Sequence, residues 1–597
     1  MPPLEFSRRT LLAGGAALGS RAAAPLRVSL AEPAKAEVRV EKHEAVRVET
    51  GTLRATLEKG YLTSLESKLT GEKFIEPFDR SRFDAVRLVY RGRETVDLGE
   101  QLFGNVSARQ ITPTCAEFRF HNWHGDGVLR VSADAASGDL ILEPSGYSSR
   151  PGVRACRYTI AGIRRELRLV APFYQGVALE LNDPLIRGSH WFWPQGWEAG
   201  FVILHGAGSG FWVHTQDNRY RYKALRVSLD DNPYALGFDA EAYGPIEDNL
   251  AAGGLAWRVN VYRGGWQEPA GRYREWLWKA YDLAAEQRRR APWIHQLGMA
   301  ISWCPTDVAI LESLARKVKP GRVLIHLPNW RTDPYDENYP TYTPSEAAKQ
   351  FLARARQLGF HVLPHFNSLE VDPNHPVYAQ VRDFQYRDVD SRRIQGWSWV
   401  NQRNIGVPES NLGRLGHRDK KVMTKIHPGL SMWRSLLCER IQENARALAL
   451  EAVFLDVVLV TGNLHNALVE GMTSSEGINR LIHEVGELAG GLSVGGEGLN
   501  EVIAPGLSFA QVHLFRSGHS NIEGLERTGG CALNDFLFGK ICRSFGYSGL
   551  GGRDAAEELR ARIHEEHNAL PTITIRSAED IENPTPWVRR ALERAGG

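Results

Sequence analysis

Along residues 36–265 apolar and polar positions alternate with a period of two, in short segments such as VRVEKHEAVRVET, AVRLVYRG, AEFRFHNW, GVLRVSAD, LRLVAP and GVALELN. Gly, Asp, Asn and Pro punctuate them at intervals of roughly 8–15 residues, the pattern of an antiparallel sandwich. Residues 266–290, WQEPAGRYREWLWKAYDLAAEQRRR, change to helical spacing and predict an amphipathic linker helix. Its Arg288-Arg289-Arg290 end suits the negative end of a helix dipole and reads as a solvated face.

From residue 291 the period becomes strand then helix. LGMAISWC (297–304), RVLIHLPNW (322–330) and FHVLPHFN (360–367) predict three buried strands. A helix over 307–318 follows the first, and Thr343-Pro344-Ser345-Glu346 opens the next with a cap, an early proline and a first-turn acid. A long insertion over about 370–430 precedes a helix at 431–450 and the strand AVFLDVV, which ends at Asp456. A helix over roughly 464–490 leads to LSVGGEG, which ends at Glu497, and SFAQVHLF (508–515) supplies a sixth strand. The 542–545 region and TITI (572–575), with helices at 553–568 and near 584–594, complete eight units. Repeated strand–helix units mean a parallel sheet, and eight of them a barrel. The predicted fold is multidomain α and β, an antiparallel β-sandwich (36–265), a linker helix (266–290) and a (β/α)₈ TIM barrel (291–597).

The first 35 residues read as an address. Ser7-Arg8-Arg9-Thr10-Leu11-Leu12 is a twin-arginine pattern followed by a short Ala/Gly/Leu run and Arg21-Ala22-Ala23-Ala24. That run falls well short of the ~20 apolar residues that span a bilayer, and no later segment reaches that length. Cleavage near Ala24 or Ala34, after passage through the twin-arginine export machinery, predicts a periplasmic or secreted protein. A net charge of +2 gives no bulk pull toward nucleic acid or an anionic membrane.

Cofactor motifs do not emerge. The six Cys form no CxxC and no zinc or iron–sulfur spacing, and neither GxGxxG nor a P-loop lysine is present, so no cofactor is expected. Cys115 and Cys156 either pair in an oxidising compartment or remain free thiols. His326 and His365 stand at neighbouring strand tips, where they either hydrogen-bond or hold a metal. The stretch Asp333-Pro334-Tyr335-Asp336-Glu337-Asn338 offers oxygen ligands without the spacing of an EF-hand, so a solvated turn competes with a Ca²⁺ site.

The chemistry concentrates at Asp456 and Glu497. A carboxylate at the exit of a buried strand is costly without partners or work, and that exit is the face on which barrel enzymes build their sites. Retaining glycosidases need a nucleophile and an acid/base about 5–5.5 Å apart, and adjacent parallel strands lie about 4.8 Å apart. The shorter Asp suits the nucleophile and the longer Glu the proton donor, with the glycines flanking Glu497 expected to let substrate approach. Capping or ion pairing is the rival role for both acids. Around them Trp330, Arg331, Asp333, Tyr335 and Asp336 follow the second strand, and His365, Asn367 and Asp372 the third. Of these, Trp330, Arg331, Asp333, Asp336, His365 and Asn367 are the candidate sugar contacts. Trp397 and Trp399 in the insertion and His513 at the sixth strand exit join them, with Trp330 as a stacking platform. The aromatic run from His190 to Glu198 reads as core or interface packing, or as a cleft wall.

A fourth-strand Asp and fifth-strand Glu behind a β-sandwich resemble the retaining α-glycosidases, as in the endo-α-N-acetylgalactosaminidases and the α-amylase superfamily. The strings NWRTDPYDENYPTYTPS, PHFNSLEVDPNHPVY, AVFLDVV and GGEG, within residues 180–515, are similar to a bacterial glycosidase-like family of unassigned activity. The resemblance implies Asp456 as nucleophile and Glu497 as acid/base. It departs from the α-galactosidase and α-glucosidase clans, whose acid/base stands at the sixth strand, where this chain has Gln511-Val512-His513. Asn500-Glu501 matches the dipeptide of another clan only weakly. The expected function is an exported glycoside hydrolase acting on a carbohydrate by a retaining α-mechanism. The rivals are a non-catalytic carbohydrate-binding barrel and a polysaccharide lyase.

Overall fold

The computed structural model describes residues 36–597 except 43, 92–94, 98–105, 123–124, 230–232, 399–402, 406–421, 513–529, 548 and 552–554. The twin-arginine stretch, Trp399 and His513 lie outside the described residues.

The alternating segments form antiparallel sheets of four, ten and six strands. The two larger sheets bury their apolar faces against one another, with Phe238 of one meeting Trp257 of the other at 5.3 Å between ring centroids. Cys115 and Cys156 sit in different sheets and are both free thiols. The linker forms two helices, Gln267–Ala280 and Leu283–Arg289, broken where Asp282 takes a left-handed backbone. Its Arg290 is not a solvated charge. It is buried against Glu286 and donates to the carbonyls of Pro505 and Ile541, fastening the linker to the barrel.

Eight parallel strands follow: β1 Met299–Ile301, β2 Val323–Leu327, β3 His361–Asn367, β4 Ala452–Asp456, β5 Ser493–Glu497, β6 Phe509–Val512, β7 Arg543–Gly546 and β8 Thr572–Ile573. β8 pairs with β1, and Phe545 bridges Leu570, so the ring is nearly closed. Inside it Ala300, Leu324, Leu363, Phe454, Phe509, Phe545 and Leu570 form one buried cluster, a packed core rather than a pore. Gly495 makes room in that cluster. A Cβ there would meet Leu363 Cδ1 at 3.2 Å and Phe454 Cδ2 at 3.3 Å. At Gly496 a Cβ would meet Val458 at 2.7 Å. These two glycines relieve packing around β5.

Helix ends follow their caps. Ser345 accepts from the Ala348 N–H to start Glu346–Leu358, and Thr473 and Glu476 make a reciprocal capping box at Ser474–Gly486. That second helix starts ten residues later than the 464–490 periodicity predicts. The intervening loop is held instead by the N-terminal part of the chain: Asn463 Nδ2 donates to Glu241 and to the Ala242 carbonyl, and His465 meets Glu247 at 3.1 Å. The insertion after β3 builds its own small antiparallel sheet, which includes Gln395–Ser398 and Val422–Lys425.

The aromatic run packs between the sheets and the barrel. Trp193 is 2% exposed and donates to Glu501 Oε1 at 2.5 Å, while Tyr273 of the linker donates to Glu501 Oε2 at 2.6 Å. Glu501 is thereby a fastening between the two parts of the chain.

Candidate active site

Strand register sets the site. Asn367 on β3 stands opposite Asp456 on β4, Leu455 opposite Gly496 of β5, and Glu497 opposite Gln511 on β6. Asn367, Asp456 and Glu497, the last residues of β3, β4 and β5, and Gln511, the penultimate residue of β6, therefore form one polar tier above the apolar barrel core. Val457, immediately after Asp456, adopts a left-handed backbone with φ 67°. That is a strained conformation for a β-branched residue and tends to persist where function requires it. Its N–H donates to Glu497 Oε2 at 3.2 Å and also interacts with the Asp456 carboxylate. One amide thus serves both acids, which converge on it.

Burial raises the Asp456 carboxyl well above the usual carboxylate range, reinforced by the charges of Glu497, Asp336 and Glu370. The Asp456 side chain keeps 13% of its surface exposed, so the site is open at this point. Tyr335 Oη lies 3.4 Å from Asp456 Oδ2, and burial raises its phenol well above 10, which keeps it a neutral donor. His365 Nε2 lies 3.5 Å from the same oxygen.

The other candidate sugar contacts divide. Asp336 is buried at the loop after β2, near enough for its charge to act on Asp456. Asp333 is half-buried and accepts from Asn338 Nδ2. Trp397 is half-buried on the insertion's sheet, opposite Met423. Trp330 is not a stacking platform: it is 0% exposed, and its indole N–H donates to the His365 carbonyl at 2.7 Å, bracing β3 from outside. Arg331 spends its guanidinium on the carbonyls of Pro334, Glu337 and Thr341 and lies over the Tyr339 ring, so it shapes the loop instead of reaching for a ligand. Asn367 folds back as well, accepting from the N–H groups of Leu369 and Glu370 and donating to Glu370 Oε2. His326 and His365 face one another at 3.3 Å, nitrogen to nitrogen, an arrangement for a shared hydrogen bond and not for a common metal. In the 333–338 loop Asn338 ties two acids together, its Nδ2 donating to Asp333 and its main-chain N–H to Asp372 beyond β3. Among the described residues no group of three or more His, Cys, Asp or Glu is placed to hold a metal.

Four residues, in two pairs, escape a motif search. Glu370 meets Lys425 at 2.6 Å in an ion pair at most 3% exposed, and the lysine comes from the far end of the insertion. Trp303 and Tyr547, at the exits of β1 and β7, meet at the barrel rim beside β8, the indole N–H donating to the Tyr547 carbonyl. Their signal in sequence is only position, an aromatic just past a strand end.

Residues 255–466 match a family model described as a domain of unknown function, DUF6259, a span that includes Asp456 but stops short of Glu497. No curated protein matches the sequence. The fold is similar to that of the α-N-acetylgalactosaminidase NagBb from Bifidobacterium bifidum. Its ligand-free structure gives a TM-score of 0.62 at 13% identity over 93% of this chain and 91% of that one. Its GalNAc complex gives 0.62 over 93% and 92%. A GH31 family sulfoquinovosidase from E. rectale gives 0.51 at 11% identity over 94% and 82%. At these identities the likeness is one of fold, antiparallel sheets followed by a parallel barrel of the kind these glycoside hydrolases use.

Proposed function

We propose that the chain is an exported glycoside hydrolase that cleaves α-linked sugars with retention. The observation that carries this reading is the pair of strand-tip acids, Asp456 and Glu497, served by the single Val457 N–H. A retaining reaction needs one carboxylate and one carboxylic acid on the pair; because burial and the facing Glu497 charge favour a proton on Asp456, the reactive form is the one in which that proton stands on Glu497 instead. In this mechanism Glu497 gives its proton to the glycosidic oxygen while Asp456 attacks the anomeric carbon, and the aglycone leaves. Glu497, now ionised, takes a proton from water as that water attacks the glycosyl ester, which restores both groups. The likeness in fold to NagBb makes an α-N-acetylgalactosaminide the first substrate to try.

A panel of aryl α- and β-glycosides, that sugar included, tests the reading, with the first-released anomer followed by NMR. An α-product from an α-substrate, reduced by orders of magnitude in Asp456→Asn and Glu497→Gln, is expected. Full turnover in both variants, or a β-product, would refute it. Glycan binding without turnover would place the chain among non-catalytic barrels.

A further inference from the structure

The two buried histidines beneath Asp456 are linked by donors whose direction cannot reverse. The main-chain N–H of Trp303 lies 3.5 Å from His326 Nδ1, and an amide N–H only donates. Gln511 Nε2 faces the same nitrogen at 3.4 Å and also donates to Ser302 Oγ at 2.9 Å. His326 Nδ1 is therefore the acceptor, and the proton of this imidazole resides on Nε2. That nitrogen lies 3.3 Å from His365 Nδ1, which accepts in turn. The proton of His365 is left on Nε2, a buried nitrogen that makes no hydrogen bond in this structure and lies 3.5 Å from Asp456 Oδ2. Bonds at catalytic groups often stand this long before substrate arrives. Trp303 holds a left-handed backbone, φ 60°, at the exit of β1, a local strain of the kind found where a surrounding site dictates conformation.

We propose that His365 is a positioning residue for Asp456, donating from Nε2 to the Oδ2 oxygen in the tautomer that His326 imposes and leaving Oδ1 to attack the sugar. Its part in the reaction rests on the glycosidase reading. The tautomer chain does not.

The surroundings fit a neutral relay. Burial lowers His326 to about 3 and, as the first cause with the Arg331 charge beside it, lowers His365 well below its ordinary value. The Phe454 ring lies under both imidazoles, at 4.5 and 5.5 Å. Asp456 is faced by Glu497 from β5, by Asp336 and Tyr335 from the loop after β2, by Glu370 from beyond β3 and by the Val457 N–H. The two side-chain donors, Tyr335 and His365, both address Oδ2. A neutral donor steadies the carboxylate against three neighbouring acids without placing a full positive charge beside the nucleophile.

The test uses the whole chain, labelled with ¹⁵N-histidine, the two signals being assigned by their loss in His365→Gln and His326→Gln. Both imidazoles should be neutral and protonated on Nε2 from about pH 5 to 8. An imidazolium at either position, or a proton on Nδ1 of His365, would overturn the proposal, and this readout needs no substrate. On the aryl glycoside that is turned over, His365→Leu and His326→Leu should each move the acid limb of kcat/KM upward by about half a unit or more. His365→Gln, whose amide can donate from the place of imidazole Nε2, should restore it. Loss of kcat with that limb unmoved in both leucine variants would overturn the proposal in favour of plain packing. If no glycoside is turned over, the glycosidase reading fails while the NMR result still decides the tautomer chain.

Discussion

Replacing Gly495 by alanine inserts one methyl group into the barrel core directly below the site. Its Cβ would lie 3.2 Å from Leu363 Cδ1, 3.3 Å from Phe454 Cδ2 and 3.6 Å from Phe509 Cβ. Carbon pairs prefer about 3.5–4.0 Å, so two of these contacts are too close by a few tenths of an ångström or more. The Leu363 methyl can turn aside. The Phe454 ring has less freedom, because it is wedged against His326 and His365. Overpacking of this kind costs about 1–3 kcal/mol. Against it stands the gain of about 0.4–1 kcal/mol from a stiffer unfolded chain where the native backbone tolerates alanine, and Gly495 is not among the residues with positive φ. A net loss of about 1–2 kcal/mol follows from these two terms. Urea unfolding of both proteins measures it. Turnover should fall too, since displacing Phe454 moves the imidazoles that address Asp456. Equal or greater stability in Gly495→Ala would show that the barrel interior has slack, and would refute the argument that β5 carries glycine for packing.

Two other perturbations separate shape from chemistry. Because the Asp456 carboxyl is raised on folding, the folded protein holds that proton more tightly than the unfolded chain. Its ionisation therefore lowers stability as pH rises above the unfolded value of about 3.9 toward the raised folded one. Asp456→Asn cannot ionise, so its thermal midpoint should exceed that of the parent by more at pH 8 than at pH 4, and an equal offset at both would contradict the sign. Arg331→Lys gives up the fork that holds three carbonyls, so the 331–343 loop should be cut faster by trypsin and KM should rise more than kcat falls. Unchanged proteolysis would mean that the loop is held elsewhere.

Much of this arrangement is legible in the sequence because buried strands leave a simple trace. AVFLDVV and SVGGE are apolar runs that stop at one acid, and both acids do end their strands. Even the short β7 overlaps the predicted 542–545 region, and β8 falls within 572–575. What periodicity does not carry is which polar atoms are already spoken for. Trp330 and Arg331 are residue types that bind sugars, yet their N–H groups are consumed by carbonyls of their own neighbourhood. Residues 464–473 have helical spacing, but Asn463 and His465 meet the N-terminal part of the chain across more than 200 residues, a long-range contact that local pattern cannot reveal. Glu370 and Lys425 are likewise separated by the whole insertion and meet only in three dimensions.

The loop that leaves Asp456 is seated on Glu241, the last residue of an N-terminal strand, and on Ala242 and Glu247 of the loop that follows it, and its following helix is touched by Tyr222 through Ser474. The N-terminal part of the chain thus belongs to the template that places Asp456. The halves are not interchangeable modules: a barrel grafted behind another sandwich would inherit both acids and lose the surface against which one of them is aligned. Selection on turnover would then act on residues near 241 as directly as on those lining the barrel mouth, and the two parts should diversify together.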